Sequence, residues 1–354
     1  MDNQSITVTP VQAAYEIYEL FRTGLVPMVT GSPGIGKSDI FRQLSLSHNL
    51  NLIDFRLSQA DPTDLNGFPT INKETKKSFY APPEMFPLEG EALPDKFDAA
   101  GTKIGQFAGH LLFLDEINSA SNAVQAAAYK VTLDKMIGQR NLHSNLVIGC
   151  AGNLSTDRAI VNRMSTAMQS RVIHLILEVS VQDWIKWSYE HNIDYRVRAF
   201  IQFRPDLLHA FDPKHVDNTF PCPRTWHFLS RLIKDQPDIG DNRLAVVSGT
   251  VGQGAAYEFV GFCKLYGKLP TIQQIIAKPD TIDIPSQPDR LYAISSMIGV
   301  NAAIANISQL MKMLNRMPIE FQIIALQSAF KYDRSLLKAP SVQTWISTNA
   351  KELL

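Results

Sequence analysis

The stretch "VPMVTGSPGIGKSDIFRQLSLS" (26–47) decides the fold. Val26 to Thr30 reads as a buried strand, and residues 37 to 47 carry apolar side chains at helical spacing. Between them, "GSPGIGKS" (31–38) fits G-x-x-x-x-G-K-[ST], with Gly31, Gly36, Lys37 and Ser38 at the required places. The glycines let the backbone through Gly31, Ser32, Pro33, Gly34, Ile35 and Gly36 curl, so that N–H groups point inward at phosphate oxygens. The helix that starts there adds the positive end of its dipole. In such a turn Lys37 reaches the β- and γ-phosphates and the Ser38 hydroxyl ligates Mg²⁺. Alone, this says only that a phosphate fits.

Downstream residues narrow the chemistry. "HLLFLDE" (110–116) predicts a strand buried on both faces that delivers Asp115 and Glu116 at its C-terminal end. In an open α/β sheet ligands bind at that end. Asp115 suits Mg²⁺ together with Ser38, and Glu116 is placed to polarise a water for attack on the γ-phosphate. Two adjacent carboxylates there would be costly without a cation or water to face. Asn153 ends the next apolar strand, "NLVIGCAGN" (145–153), where an amide can bridge the attacking water and the γ-phosphate, both as donor and as acceptor. Arg171, in "MQSRVIHL", is expected to begin a fifth strand at the sheet's edge, beyond its own nucleotide site, where it suits a neighbouring subunit's γ-phosphate. Arg163 is its rival in the same segment. Arg224, behind Pro223 in "PCPRTWHFL", starts a helix from which a fork-shaped cation could touch the phosphates.

Around these motifs the texture changes once. A helix over 11–24, capped at Gly24, precedes the first strand, and "NLIDFRL" (51–57) predicts a second strand. Residues 60–105, rich in Pro, Gly and charge, form an insertion too long for an ordinary connector, with "NKETKK" at a solvated tip. A helix over 122–136 and a fifth strand within 168–178 complete an alternation of strands and helices, hence a mostly parallel sheet with helices on both faces. Beyond residue 180 the segments "VQDWIKWSYEH", "TWHFLSRLIKD", "GAAYEFVGFCKLYG", "DRLYAISSMIGVNAAIANISQLMKMLNRM" and "EFQIIALQSAFKY" all predict helices.

Bulk composition removes other classes. The chain has 354 residues, with Lys+Arg and Asp+Glu at 34 each, so no global charge favours nucleic acid or anionic membrane. Its three cysteines lack paired spacing, which argues against a disulfide framework and fits a reducing compartment. No secretory signal and no apolar run of membrane-spanning length are evident, so a cytoplasmic protein is expected.

Taken in order, "GSPGIGKS", "LLFLDEIN", "GCAGN", "MQSR" and "PRTW" resemble an AAA+ ATPase, most of all the MoxR-like branch related to the dynein and McrB group. "DPTDLNGFP" and "DEINSASNAVQAAAYKVTLDKMIGQRNL" resemble that branch's helix-2 insertion and the helix after its Walker B strand. The resemblance spans about residues 10–265. It implies a P-loop α/β domain (1–178) and an α-helical lid (179–275), and the helical pattern beyond them reads as a C-terminal extension (276–354). It also implies ATP and Mg²⁺ as ligands, with Lys37 and Ser38 as Walker A, Asp115 and Glu116 as Walker B, Asn153 as sensor 1, Arg171 as arginine finger and Arg224 as sensor 2. A hexameric ring, a separate partner carrying a von Willebrand A domain, and remodelling of a protein complex are the implied outputs. A nucleic-acid motor and a non-hydrolysing nucleotide-gated scaffold are the alternatives.

Overall fold

The computed structural model describes residues 6–349 except 155–156, 158–161, 163, 215–216, 237 and 267–268. It divides into two compact units, Met1–Ser180 and Val181–Leu354. Arg163 lies outside the described residues.

The first unit begins with β1 (Thr7–Val8), α1 (Pro10–Arg22), β2 (Pro27–Thr30), α2 (Lys37–Ser47) and β3 (Leu50–Arg56). Next come α3 (Pro62–Asn66) and the strands β4 (Phe68–Ile71), β5 (Ser78–Ala81), β6 (Asp95–Phe97) and β7 (Lys103–Gln106). Then follow β8 (Gly109–Asp115), α4 (Asn122–Asp134), β9 (Met136–Ile137), β10 (Arg140–Asn141), β11 (Leu146–Gly152), α5 (Thr166–Gln169) and β12 (Ile173–Leu177).

The local chemistry explains the element ends. Thr9 and Gln12 cap α1 reciprocally, with Pro10 in the first turn. At its other end the Leu25 amide donates to Leu20 O at 3.0 Å and the Gly24 amide to Phe21 O at 3.1 Å, a Schellman closure turning on Gly24.

Six strands form one all-parallel sheet in the order β1-β12-β2-β11-β8-β3. Alternation along each strand feeds two cores. Leu111 and Phe113 of β8 join Ala13 and Ile17 of α1 and Ile40, Phe41 and Leu44 of α2 on one face. Leu112 and Leu114 join Val124, Ala128 and Val131 of α4, together with Leu65 and Phe86 of the insertion, on the other. At about 25 cal/mol per Å² of apolar surface, such two-sided burial is what holds β8, whose seven residues are all buried.

Two expectations need correction. The strand after Arg171 is not the sheet's edge, because β1 pairs beyond it, Thr7 with Ile176 and Val8 with Leu177. Arg171 also precedes that strand, in the turn between α5 and β12. The cause is tertiary: a two-residue strand has no periodicity of its own and exists through pairing with β12.

The insertion is ordered into α3 and two antiparallel ribbons, β4–β5 and β6–β7. The first ribbon turns at 72–77, where the Asn72 amide donates to Lys77 O at 2.9 Å and Lys76 takes a positive φ.

The second unit is helical: α6 (Val181–Glu190), α7 (Tyr195–Phe203), α8 (Pro223–Ile233), α9 (Leu244–Val251) and α10 (Gln253–Tyr266). The chain goes on through α11 (Ile272–Ala277), α12 (Pro288–Asn301), α13 (Ile307–Leu314), α14 (Ile319–Tyr332) and α15 (Pro340–Asn349). The predicted helical span 289–317 is two helices, parted after Asn301. Two buried arginines organise α7. Arg196 forms a fork on Asp194 (3.0 and 2.9 Å) and donates to the C-terminal carbonyl of α8, Ile233 O, at 2.8 Å. Arg198 donates to Ile193 O and to the Tyr332 hydroxyl, and stacks on the ring of Tyr189 at 4.4 Å. Among the described residues no helix is long and apolar enough to cross a membrane.

Candidate functional site

Sheet order builds the site. β11 lies between β2, which leads into the loop of residues 31–38, and β8, which ends in Asp115. Adjacent strands sit about 4.8 Å apart. The strands that lead into the loop and into the carboxylates are therefore two spacings apart, with Asn153, just past the end of β11, between them.

The loop ends at the start of a helix that carries no side-chain cap. Gly36 takes a left-handed φ of 99° at the N-terminal cap of α2, where no side chain caps the helix. A Cβ on Gly31 would stand 2.6 Å from Ile35 Cδ1 and 3.0 Å from Leu177 O, so a side chain there would have to displace Ile35 and crowd the Leu177 carbonyl. Lys37 folds back over this loop: its Nζ donates to Gly31 O at 2.6 Å, Ser32 O at 3.0 Å and Asn153 Oδ1 at 3.2 Å. The ammonium is thus held over the loop by oxygens that a more strongly charged acceptor could replace.

Ser38 Oγ donates to Asp115 Oδ2 at 2.8 Å, and the Glu116 amide donates to Asp115 Oδ1 at 2.8 Å. Asp115 is only 8% exposed. A hydroxyl and a carboxylate oxygen side by side match a hard cation that takes one or two protein oxygens and completes its shell with phosphate and water. The donor set therefore fits Mg²⁺, with Ser38 and Asp115 as the residues to hold it. Among the described residues no cluster of three His, Cys, Asp or Glu side chains could hold a metal by itself.

Glu116 adopts a left-handed backbone, φ 57° and ψ 33°, a conformation costing roughly 1–3 kcal/mol for a residue with a Cβ. Its carboxylate accepts from the Ser58 hydroxyl, just beyond β3. Upstream on β3, Asp54 is held above the usual carboxylate range by burial and by the negative charge of Asp115, against the pull of Arg42 and Arg56. Cys150, in the middle strand, is buried and its thiol is pushed up to about 12, which leaves it unreactive.

The first unit thus gathers Gly31, Gly36, Lys37, Ser38, Asp115 and Asn153, with Glu116 next to Asp115 and turned toward Ser58. Arg171 stands exposed, its guanidinium 5.2 Å from the ring centroid of Tyr129 on α4. Arg224 is exposed in the first turn of α8, in the second unit. Sequence reasoning missed Ser58 and Asn118. Their partners lie 58 and 35 residues away, and no spacing rule links them.

No family model matches the chain, and no curated protein does. Its structure is similar to a RuvB point mutant from Thermotoga maritima (14% identity, TM-score 0.36, 71% of this chain and 68% of that one). It is also similar to a Cytophaga hutchinsonii protein described as a candidate ATPase (12%, 0.34, 98% and 90%). A third similar structure is NtrX from Brucella abortus (13%, 0.37, 92% and 69%). At these TM-scores the likenesses carry no weight, and the chain's own geometry must supply the function.

Proposed function

We propose that the chain is a Mg²⁺-dependent ATPase of the AAA+ type. The observation that carries this is the joining of Lys37, Ser38, Asp115 and Asn153 through hydrogen bonds at one end of a parallel sheet, with Glu116 beside them. The uncapped start of α2 and Lys37 bind the phosphates, Lys37 exchanging the Gly31 and Ser32 carbonyls for phosphate oxygens. Ser38 and Asp115 hold the metal, which when bound neutralises charge on the phosphates. Glu116 accepts the proton of the attacking water, and the Asn153 amide orients that water. Base catalysis of this kind contributes about 10²–10⁴-fold in rate.

Arg171, exposed and held against Tyr129, is assigned to a neighbouring subunit's γ-phosphate, and Arg224 to sensing nucleotide from the helical unit. This implies a homo-oligomeric ring, six-membered by resemblance, that remodels a protein complex in the cytoplasm with a von Willebrand A domain partner. Buried free cysteines (Cys150, Cys222, Cys263) support a reducing compartment. The ordered insertion is the part best suited to contact a client. Lys73, Lys76 and Lys77 at the exposed tip of the β4–β5 ribbon are what favours the alternative, a nucleic-acid motor. Turnover stimulated by single-stranded DNA, with steep salt dependence, would select that alternative.

The test is phosphate release from ATP by the purified chain, with Mg²⁺ and with chelator. Turnover is expected only with Mg²⁺, and should be lost with nucleotide binding in Lys37→Ala. Metal-independent turnover, or full activity in Lys37→Ala, would overturn the assignment.

A further inference from the structure

The turn after Asp115 carries a side chain that the chemistry above leaves unused. Asn118 is 7% exposed. Its Nδ2 donates to the Asn153 carbonyl at 2.7 Å, and its Oδ1 accepts from the Asn153 amide at 3.1 Å. One primary amide thereby satisfies both main-chain groups of Asn153, as a neighbouring strand would. The Asn118 carbonyl accepts from the Asn162 amide at 2.7 Å, and the Asn162 side chain donates to Ala120 O at 2.7 Å. The turn bearing Glu116 is therefore stitched both to the end of β11 and to the segment leading toward Arg171.

Gly152 makes this clamp possible. A Cβ at residue 152 would stand 2.4 Å from Asn118 Oδ1 and 2.8 Å from Asn118 Cγ. No rotamer change of the Asn153 side chain would relieve that contact, because it lies between Asn118 and the backbone of β11. The Asn153 side chain stays outside the clamp and accepts from Lys37. What the clamp fixes is the stretch of main chain from which the Asn153 amide hangs. A two-bond fork resists both sliding and rotation of that stretch against the Glu116 turn.

We infer that Asn118 is a positioning residue for hydrolysis, holding the Asn153 main chain against the Glu116 turn so that amide and carboxylate address the same water. This rests on the ATPase assignment above. Asn118 bonds to Asn153 and Asn162 and not to the phosphate loop, so its loss acts on the chemical step rather than on nucleotide binding.

The experiment measures kcat and KM for Mg²⁺·ATP, binding of a fluorescent ATP analogue, and melting temperature in Asn118→Ala, Asn118→Ser and Gly152→Ala. Each should lower kcat by about 10- to 100-fold, the range for residues that orient a catalytic group, while KM and analogue binding stay within about threefold. Asn118→Ser, which keeps one donor, should lose least. The double variant Asn118→Ala with Gly152→Ala should be no worse than the poorer single one, because both break the same contact. Wild-type kcat in Asn118→Ala, or binding lost in step with kcat, overturns the clamp. If Asn118→Ala does not fold, Asn118→Ser and Gly152→Ala decide by the same split, and failure of all three to fold assigns Asn118 to stability alone and overturns the clamp. Absence of turnover in the wild-type chain overturns the ATPase assignment instead, so the two failures are distinguishable.

Discussion

Removing the Ser38 hydroxyl should be felt before any nucleotide is added. In the structure it donates to Asp115 Oδ2 at 2.8 Å, while the other carboxylate oxygen accepts from the Glu116 amide. Asp115 is nearly closed off from water, so Ser38→Ala leaves a buried acceptor short of one donor. A hydrogen bond to a charged group contributes about 1.5–3 kcal/mol, and the loss should fall within that range. Chemical denaturation at neutral pH, followed by far-UV circular dichroism and fitted for the first unit, measures it. Ser38→Thr is the control, because it keeps the hydroxyl. Mg²⁺·ATP should then raise the wild-type midpoint by mass action but raise that of Ser38→Ala far less, since the metal has lost a protein oxygen. If Ser38→Ala unfolds with wild-type stability and keeps the full nucleotide-dependent rise, Ser38 neither supports Asp115 nor holds the metal.

Two further outcomes follow from the packing. Arg196→Met strips the partner from Asp194, whose side chain is 3% exposed, and should destabilise the helical unit by about 3–5 kcal/mol. Adding Asp194→Asn should restore part of that loss, and a cost below about 1 kcal/mol in the single variant would refute the buried pair. His110, at the start of β8, is held below the ordinary imidazole range by burial, reinforced by His143 and opposed by Glu91, with Asn51 Nδ2 beside its Nδ1 at 3.3 Å. The folded state thus favours the neutral ring, while the unfolded ring takes up a proton near 6.5. Stability from this group is complete above that value and is lost as pH falls through it toward the lowered folded value. Urea midpoints taken from about pH 7.5 to about pH 5.5 should therefore drop less in His110→Gln than in the wild type, and equal drops would refute the assignment.

The strand–loop–helix of residues 26–47 was legible because glycine punctuation and the two periodicities are local properties. So were β8 and β11, whose continuous apolar runs follow from burial on both faces. β1 was not legible, since two residues hold a strand only by pairing with β12. α7 was hidden because Arg196 and Arg198 occupy buried positions that the apolar pattern requires to be hydrophobic, and besides Asp194 and Ile193 nearby their partners are carbonyls and rings from elsewhere in the second unit. α11 lay inside a stretch that prolines mark as a break. Within the site, Lys37, Ser38, Asp115 and Asn153 came from motif and strand-end logic, and hydrogen bonds now join them. Ser58 and Asn118 act through contacts made only on folding, and Asn118 is intelligible only beside the missing Cβ of Gly152.

The central claim is that Glu116 drives hydrolysis at a site that binds ATP independently of it. Glutamine keeps the shape of Glu116 and an acceptor for Ser58, yet cannot take a proton from water. The deciding measurement is the chemical identity of nucleotide retained by Glu116→Gln after prolonged incubation with Mg²⁺·ATP, resolved by anion-exchange chromatography against the wild type. The account requires intact ATP on the variant and ADP on the wild type. ADP accumulating on both at similar rates would contradict it.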